Sequence, residues 1–232
     1  MSLIVKICGL NSPDALDAAL EAGADFTGFV FFEPSPRNLS FDQARTLASR
    51  VKNRAKKVAL TVDADDATFE RIVETLRPDI LQLHGHETPG RVSDLKKRYG
   101  LPVMKALPVE TKLDLKLVGD YAAVADWLLF DARAPREATR PGGLGKPFDW
   151  TLLQDIDPGI PFMLSGGLDA GNVAEALAIT GASAVDVSSG VERKPGEKDP
   201  EKIRTFVRLA REAASSSPLP GGERSTVRST VG

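Results

Sequence analysis

One cysteine and one aspartate stand out as residues that could exchange protons with a bound molecule. Cys8 ends the apolar run of residues 3–7 and is followed at once by Gly9, and Asp131 ends the apolar run of residues 127–130. A thiol and a carboxyl group on either side of one substrate form an acid/base pair. Each also has an explanation without chemistry, because a strand-end carboxylate is often only a cap or turn residue.

Two glycine-rich segments indicate a binding site for a phosphate. Backbone N–H groups of such loops can approach a phosphate closely. Each segment alone is explained by a tight turn, whereas the two together favour a phosphate site. Their members are Gly166 and Gly167 in the first segment and Ser188, Ser189 and Gly190 in the second.

Eight short apolar runs alternate with amphipathic stretches, which predicts βα units around a parallel sheet. In residues 1–213 they predict one (β/α)8 TIM barrel, an α/β fold whose site lies at the C-terminal ends of the strands. Closure would bring Cys8, Asp131 and both glycine-rich segments to one mouth. An open doubly wound sheet is the alternative. The predicted strands are residues 3–8, 25–32, 57–62, 80–84, 102–107, 127–131, 161–164 and 184–187.

Two segments fall outside this pattern. Residues 132–147 form a long loop after the sixth strand, and a loop of that length in a barrel is typical of a lid that excludes water. Residues 214–232 are rich in Ser, Pro, Gly and Arg and offer little apolar surface. We therefore expect a disordered C-terminal tail.

Composition limits the partners. The 232 residues include 30 basic and 32 acidic side chains, giving a net charge of −2 without a long basic run, so we expect no nucleic-acid partner. No apolar stretch is long enough to cross a bilayer, so we expect no membrane partner. A lone cysteine cannot form an intramolecular disulfide, and the N-terminus lacks a signal-peptide pattern, which together favour a reducing cytoplasm.

Two further polar positions have a predicted place in the barrel. Lys6 shares the strand parity of Cys8 and should point inward, where an unpaired ammonium would be costly. We hypothesise that it pairs with Asp186 and helps to keep Cys8 anionic. The pair His84 and His86 is a weak metal signal because the chain has no other histidine. We predict no metal site, and expect His84 to line the mouth together with Gln82.

An ordered set of motifs closely resembles the phosphoribosylanthranilate isomerase family of tryptophan biosynthesis. The likeness spans about residues 3–209. Leu144 departs from it, since the family usually carries Thr or Ser among its lid glycines. The motifs are KICGL at residues 6–10, GFVF at 28–31, SPR at 35–37, QLHG at 82–85, FD at 130–131, FDW at 148–150, GGL at 166–168, NV at 172–173 and DVSSGVE at 186–192.

The resemblance implies a cofactor-independent Amadori rearrangement of N-(5-phosphoribosyl)anthranilate. It implies that Asp131 is the general acid that opens the furanose ring and that Cys8 is the general base that removes the C2 proton. It also implies that Arg37 clamps the anthranilate carboxylate, while the Gly166 and Ser188 loops hold the phosphate. We expect a monomer or a homodimer.

Two other functions are weighed against this one. A related phosphosugar isomerase or epimerase on the same barrel, such as the sister isomerase of histidine biosynthesis, would call for an aspartate in place of Cys8. A non-catalytic phosphate-binding barrel would keep the glycine-rich loops but would need neither Cys8 nor Asp131.

Overall fold

Eight parallel strands close into a ring, in which each strand pairs with the next and the last pairs with the first. The computed structural model describes residues 2–134, 138, 142 and 147–216. The predicted (β/α)8 barrel is confirmed, and the open sheet is excluded. The strands are β1 (Ile4–Cys8), β2 (Phe26–Phe31), β3 (Lys56–Thr61), β4 (Ile80–Leu83), β5 (Val103–Val109), β6 (Trp127–Ala132), β7 (Phe162–Leu164) and β8 (Ala184–Val187).

Among the described residues, seven α-helices surround the ring. The first begins where its sequence predicts, because the side chain of Ser12 accepts a hydrogen bond from the backbone of Ala15 and Pro13 opens the first turn. The helices are α1 (Pro13–Glu21), α2 (Phe41–Val51), α3 (Asp66–Leu76), α4 (Pro89–Tyr99), α5 (Val118–Ala122), α6 (Val173–Thr180) and α7 (Pro200–Ser216).

The sixth βα unit departs from the prediction. Between β6 and β7 the described residues contain a 3₁₀ turn, Trp150–Leu153, in place of an α-helix. Asp149 caps this turn through the backbone N–H of Thr151, and Gly159 follows with a φ of +73°. The capped turn and the nearby glycine leave little length for a regular helix before β7.

The barrel interior is layered. Side chains from several strands form an apolar plug near the N-terminal ends, in keeping with the filled core of this fold. Polar side chains from alternate positions lie above it, with Lys6, Gln82 and Asp186 all buried. The plug comprises Phe26, Val58, Ile80, Met104, Ala106, Leu129, Met163 and Ala184.

The chain after β8 forms a short antiparallel hairpin before the last helix. Its strands are β9 (Glu192–Lys194) and β10 (Glu197–Lys198). Helix α7 then continues to Ser216 and so includes residues 214–216 of the predicted tail, while residues 217–232 lie outside the described residues. None of the described helices is long and apolar enough to cross a bilayer.

Candidate active site

A cavity of about 410 Å³ opens at the C-terminal ends of the strands, within the size range of small-molecule sites. It brings together most of the side chains that the sequence singled out. Gly190 is not in its described wall, because it packs so closely on the carbonyl of Leu168 that a Cβ would collide there. The wall includes Cys8, Arg37, His84, Asp131, Gly166, Gly167, Ser188 and Ser189.

The last residue of β1 places a thiol in this cavity. Cys8 is only 3% exposed. Its register partner on β2 is Gly28, where an added Cβ would lie 2.9 Å from the Cys8 sulfur. The glycine on the neighbouring strand therefore makes room for the thiol.

The predicted ion pair below the thiol is confirmed. Lys6 Nζ donates to Asp186 Oδ1 at 2.9 Å, and both side chains are buried. Asp186 Oδ2 accepts a further hydrogen bond from Ser165 Oγ at 3.2 Å. Ser165 also lines the cavity. Both oxygens of the buried carboxylate are therefore satisfied.

Two opposing effects set the pKa of Cys8. Burial raises the pKa of the Cys8 thiol, and Lys6 and, more weakly, Lys198 oppose that rise. The net direction is upward. Lys6 thus acts in the expected direction by lowering the pKa of Cys8, but burial raises that pKa by more. The pKa of Lys6 is itself raised, since Asp186 and Cys8 outweigh its burial.

Asp131 lies near the end of β6 and is held by two hydrogen bonds. Its Oδ1 accepts from the backbone N–H of Ala132 at 2.9 Å, and its Oδ2 lies 3.0 Å from Nε2 of His84. The other ring nitrogen, Nδ1, lies 3.0 Å from Nε2 of Gln82. His84 belongs to the cavity wall as expected, whereas Gln82 is fully buried and is not in that wall. Hydrogen-bond distances connect Gln82 to His84 and His84 to Asp131.

Gly142, a residue of the predicted lid, contacts the side chains of His84 and Asp131. A Cβ built on Gly142 would collide with Asp131 Oδ2 and lie 2.9 Å from His84 Nε2. Gly142 therefore packs directly on the carboxyl–imidazole pair, and it belongs to the cavity wall. Residues 135–137, 139–141 and 143–146 of the predicted lid, Leu144 among them, lie outside the described residues.

Arg37 lies in the loop between β2 and α2 and is 4% exposed. Its Nε and Nη2 donate to the two carboxylate oxygens of Glu192, at 2.7 and 2.8 Å. Gly9 has a φ of +77°, and a Cβ there would lie 2.6 Å from Arg37 Cδ, so the arginine stem lies on the turn that follows Cys8. A two-pronged bond of this kind fixes the plane of the guanidinium.

Glu192 also holds a second cation, which the sequence reading missed. Lys198 Nζ donates to Glu192 Oε1 at 2.8 Å and to the carbonyl of Ser188 at 2.9 Å. Ser188 Oγ in turn donates to the carbonyl of Cys8 at 3.2 Å. No local sequence pattern predicts these contacts of Lys198, because only the tertiary fold brings β10 next to Ser188.

Two cations sharing one carboxylate leave a surplus positive charge. Burial lowers the pKa of Lys198 to about 8, although Glu192 opposes this. Burial of Glu192 disfavours its charge, but Arg37 and Lys198 outweigh that and hold the pKa of Glu192 below its usual value. The cluster is therefore a fixed Arg37–Glu192 pair with a titratable lysine beside it.

The loop after β7 has a backbone conformation that favours glycine at two positions. Gly166 and Gly167 have φ values of +83° and +70°, a region that favours glycine, and a Cβ on Gly166 would collide with the backbone of Ala132. Asn172 fixes the loop, since its Nδ2 donates to the carbonyl of Gly167 at 2.9 Å and its Oδ1 accepts from the N–H of Asp169 at 2.8 Å.

The two histidines do not converge. His86 is largely exposed and pairs with Asp63 at 3.0 Å, whereas His84 points to Asp131. Among the described residues, no three His, Cys, Asp or Glu side chains form a group that could hold a metal ion.

Comparison with known protein families identifies the family of this barrel. A family model described as N-(5'phosphoribosyl)anthranilate (PRA) isomerase matches residues 5–209. The chain belongs to this family of isomerases. The resemblance that the motifs indicated is thereby confirmed.

Relatives of this isomerase family agree in sequence and in structure. The N-(5'-phosphoribosyl)anthranilate isomerase of Bradyrhizobium diazoefficiens is 62% identical over 217 residues, covering 94% of this chain and 97% of the relative. The crystal structure of phosphoribosyl anthranilate isomerase from Thermotoga maritima has a TM-score of 0.82 at 32% identity, covering 90% of this chain and 99% of that one.

A third relative of the isomerase family carries a bound molecule. It is a phosphoribosyl anthranilate isomerase in complex with reduced 1-(o-carboxyphenylamino)-1-deoxyribulose 5-phosphate. Its TM-score is 0.78 at 30% identity, with 90% of this chain and 99% of that chain covered.

Proposed function

We propose that this protein catalyses the Amadori rearrangement of N-(5'-phosphoribosyl)anthranilate to 1-(2-carboxyphenylamino)-1-deoxyribulose 5-phosphate, a step of tryptophan biosynthesis. Family membership supports the reaction, and one observation of the site carries it. Cys8 from β1 and Asp131 from β6 line the same cavity, so a base and an acid reach one bound sugar.

The two side chains have complementary roles in this proposal. Asp131 gives a proton to the furanose ring oxygen, and the ring opens to an iminium. The iminium withdraws electrons from C2, and the Cys8 thiolate then removes the C2 proton to give an enolamine that tautomerises to the ketone. Burial raises the pKa of Cys8, so the thiolate, once formed, is a strong base toward that proton. These steps require no cofactor.

Each charged end of the proposed substrate has a candidate partner in the cavity wall. We place the phosphate on the Gly166–Gly167 loop and the Ser188–Ser189 segment. Gly190 follows that segment and packs behind the cavity wall. We place the anthranilate carboxylate near Arg37, because Glu192 fixes the plane of its guanidinium group. Binding both ends would hold C2 and the ring oxygen against the two proton-transferring groups.

We extend this proposal to the cellular location and the oligomeric state of the protein. A free buried thiol that acts as a base needs a reducing compartment, which supports a cytoplasmic location. We expect a small phosphosugar as the partner and a monomer or homodimer as the assembly, which sedimentation velocity would distinguish.

Two substitutions test the roles. Cys8→Ser and Asp131→Asn should each lower turnover by at least about 10²-fold, followed as the loss of substrate fluorescence. Both variants should still bind the reduced product analogue, because neither removes a contact proposed for the phosphate or the carboxylate. His86→Asn changes an exposed side chain outside the cavity wall and is the control. Full turnover by either site variant would overturn the assignment.

A further inference from the structure

The buried amide of Gln82 lies at one end of a row of hydrogen-bonded side chains, and Asp131, the proposed acid, lies at the other end. Gln82 lies on β4, is 0% exposed, and points into the barrel on the same strand face as His84. Its Nε2 lies 3.0 Å from His84 Nδ1, and His84 Nε2 lies 3.0 Å from Asp131 Oδ2. The three side chains therefore form one continuous line of hydrogen bonds.

The chemistry of an amide nitrogen fixes the protons in this arrangement. Gln82 Nε2 can only donate, so His84 Nδ1 must accept, and the ring proton must sit on Nε2. That proton is donated to Asp131, whose other oxygen accepts from Ala132. Both oxygens of Asp131 thus face donors, which is the environment of a carboxylate that has already given up its proton.

The opposite end of the same amide allows a second arrangement. Gln82 Oε1 is buried, and among the described residues it has no hydrogen-bond partner, which costs about 1–3 kcal/mol. A half-turn about the terminal torsion exchanges Oε1 and Nε2. Gln82 Oε1 then accepts a hydrogen bond from His84 Nδ1–H, and the lone pair on His84 Nε2 can accept one from a protonated Asp131. Each orientation of the amide therefore goes with one tautomer of His84, Nε2–H when Nε2 of Gln82 faces the ring and Nδ1–H when Oε1 faces it.

We propose that Gln82 is a positioning residue that sets which ring nitrogen of His84 carries the proton, and thereby whether Asp131 is held as a loaded acid or as a spent carboxylate. This inference rests on the proposed function and deepens it. Gln82 contacts His84 and acts on the substrate only through that ring and Asp131.

Protons balance in this scheme. The loaded Asp131–His84 pair holds two protons, one between Oδ2 and Nε2 and one on Nδ1. One proton goes to the ring oxygen of the sugar. The remaining proton moves from Nδ1 to Nε2 by exchange with solvent, and the amide turns with it. In each turnover Asp131 regains one proton from solvent and Cys8 releases to solvent the proton that it took from C2, because the isomerisation as a whole neither consumes nor releases a proton.

Nitrogen-15 NMR can read this tautomer directly, because the chain has only two histidines. The His86→Asn background leaves the ring of His84 as the single histidine signal. Gln82→Met keeps the approximate size of the side chain but offers neither amide group, so the ¹⁵N shifts of His84 should move. Gln82→Glu places a carboxylate on Nδ1 and should hold a proton there.

Kinetics supply the second readout. Both Gln82 variants should lower kcat by at least about tenfold, while affinity for the reduced product analogue stays within about threefold. Met104→Leu is the matched control, because Met104 is the register partner of Gln82 on β5 and is equally buried. It should leave the His84 shifts and kcat unchanged.

Each outcome decides the question. Unchanged ¹⁵N shifts, or shifts that move without a fall in kcat, in both Gln82 variants would overturn the inference. The NMR signature needs no turnover, so it tests the hold of Gln82 on His84 even if the wild-type chain failed to isomerise the substrate. That failure would instead defeat the proposed function.

Discussion

The sulfur of Cys8 occupies the space beside Gly28 in which any other residue would place its Cβ. The two residues are register partners on β1 and β2, and the added Cβ would be 2.9 Å from the sulfur and 3.0 Å from Cys8 Cα. Because the backbone atom cannot move without shifting the barrel, a larger residue at position 28 must displace the thiol.

Gly28→Ala should therefore act on catalysis through the position of Cys8. Displacement of a reacting group by about 1 Å can cost on the order of 10²-fold, and we expect a loss of that size in kcat. Gly119→Ala is the matched control, because a Cβ on Gly119 would meet nothing within 4 Å and Gly119 has no positive φ. Equal turnover by the two alanine variants would refute this role of Gly28.

The raised pKa of Cys8 predicts the pH dependence of its reactivity. Only the thiolate is nucleophilic, so the rate of alkylation by iodoacetamide should rise about tenfold per pH unit and should still be rising at 9.0, the ordinary pKa of a thiol. Mass spectrometry of the intact chain reports this thiol alone, since Cys8 is the only cysteine.

The Lys6→Met variant is a control for the cause of that dependence. Lys6 lowers the pKa of Cys8, so its removal should slow alkylation at every pH below the plateau. A plateau near neutral pH in the wild-type protein would contradict the inference that burial dominates at this thiol.

The buried Lys6–Asp186 pair should stabilise the fold mainly because each partner neutralises the other. Lys6→Met leaves a buried carboxylate behind, and we expect a loss of about 3–5 kcal/mol in the free energy of unfolding, measured by urea denaturation. The double variant Lys6→Met, Asp186→Leu removes both charges and should recover most of that loss. Equal stability of the single and double variants would contradict this explanation.

Lys198 predicts a stability that depends on pH. Its pKa is about 8 in the folded protein and 10.5 ordinarily, so between these values the unfolded chain binds more protons than the folded one. Stability should therefore rise with pH across that interval, by at most about 1.4 kcal/mol per unit. Lys198→Met should lack this rise, and comparison of the two urea midpoints removes the contribution of other groups. Parallel curves would be evidence against a titrating Lys198.

Much of the barrel could be read from the sequence because buried parallel strands are near-continuous apolar runs. The predicted bounds of β8 are confirmed, and those of the other strands differ by one or two residues. Lys6 and Asp186 were also predictable, because strand parity says which side chains share the interior and an inward ammonium requires a partner.

Other features depend on relations that no local pattern contains. The fit of Gly28 against Cys8 follows from the register of two strands, and the approach of Lys198 to Ser188 follows from the path of the hairpin. The direction of the Cys8 pKa could not be predicted, because the sequence shows the nearby cation but not the extent of burial.

The charges beneath the thiol come from the two extremes of the barrel sequence. Lys6 lies on β1 and Asp186 on β8, and these strands are joined only when the ring closes. A chain that has folded its first seven strands would hold Cys8 without its counterion pair in place. A change in the alkylation rate of this one thiol during refolding would therefore report when β8 docks. Enzyme activity should appear at the same step.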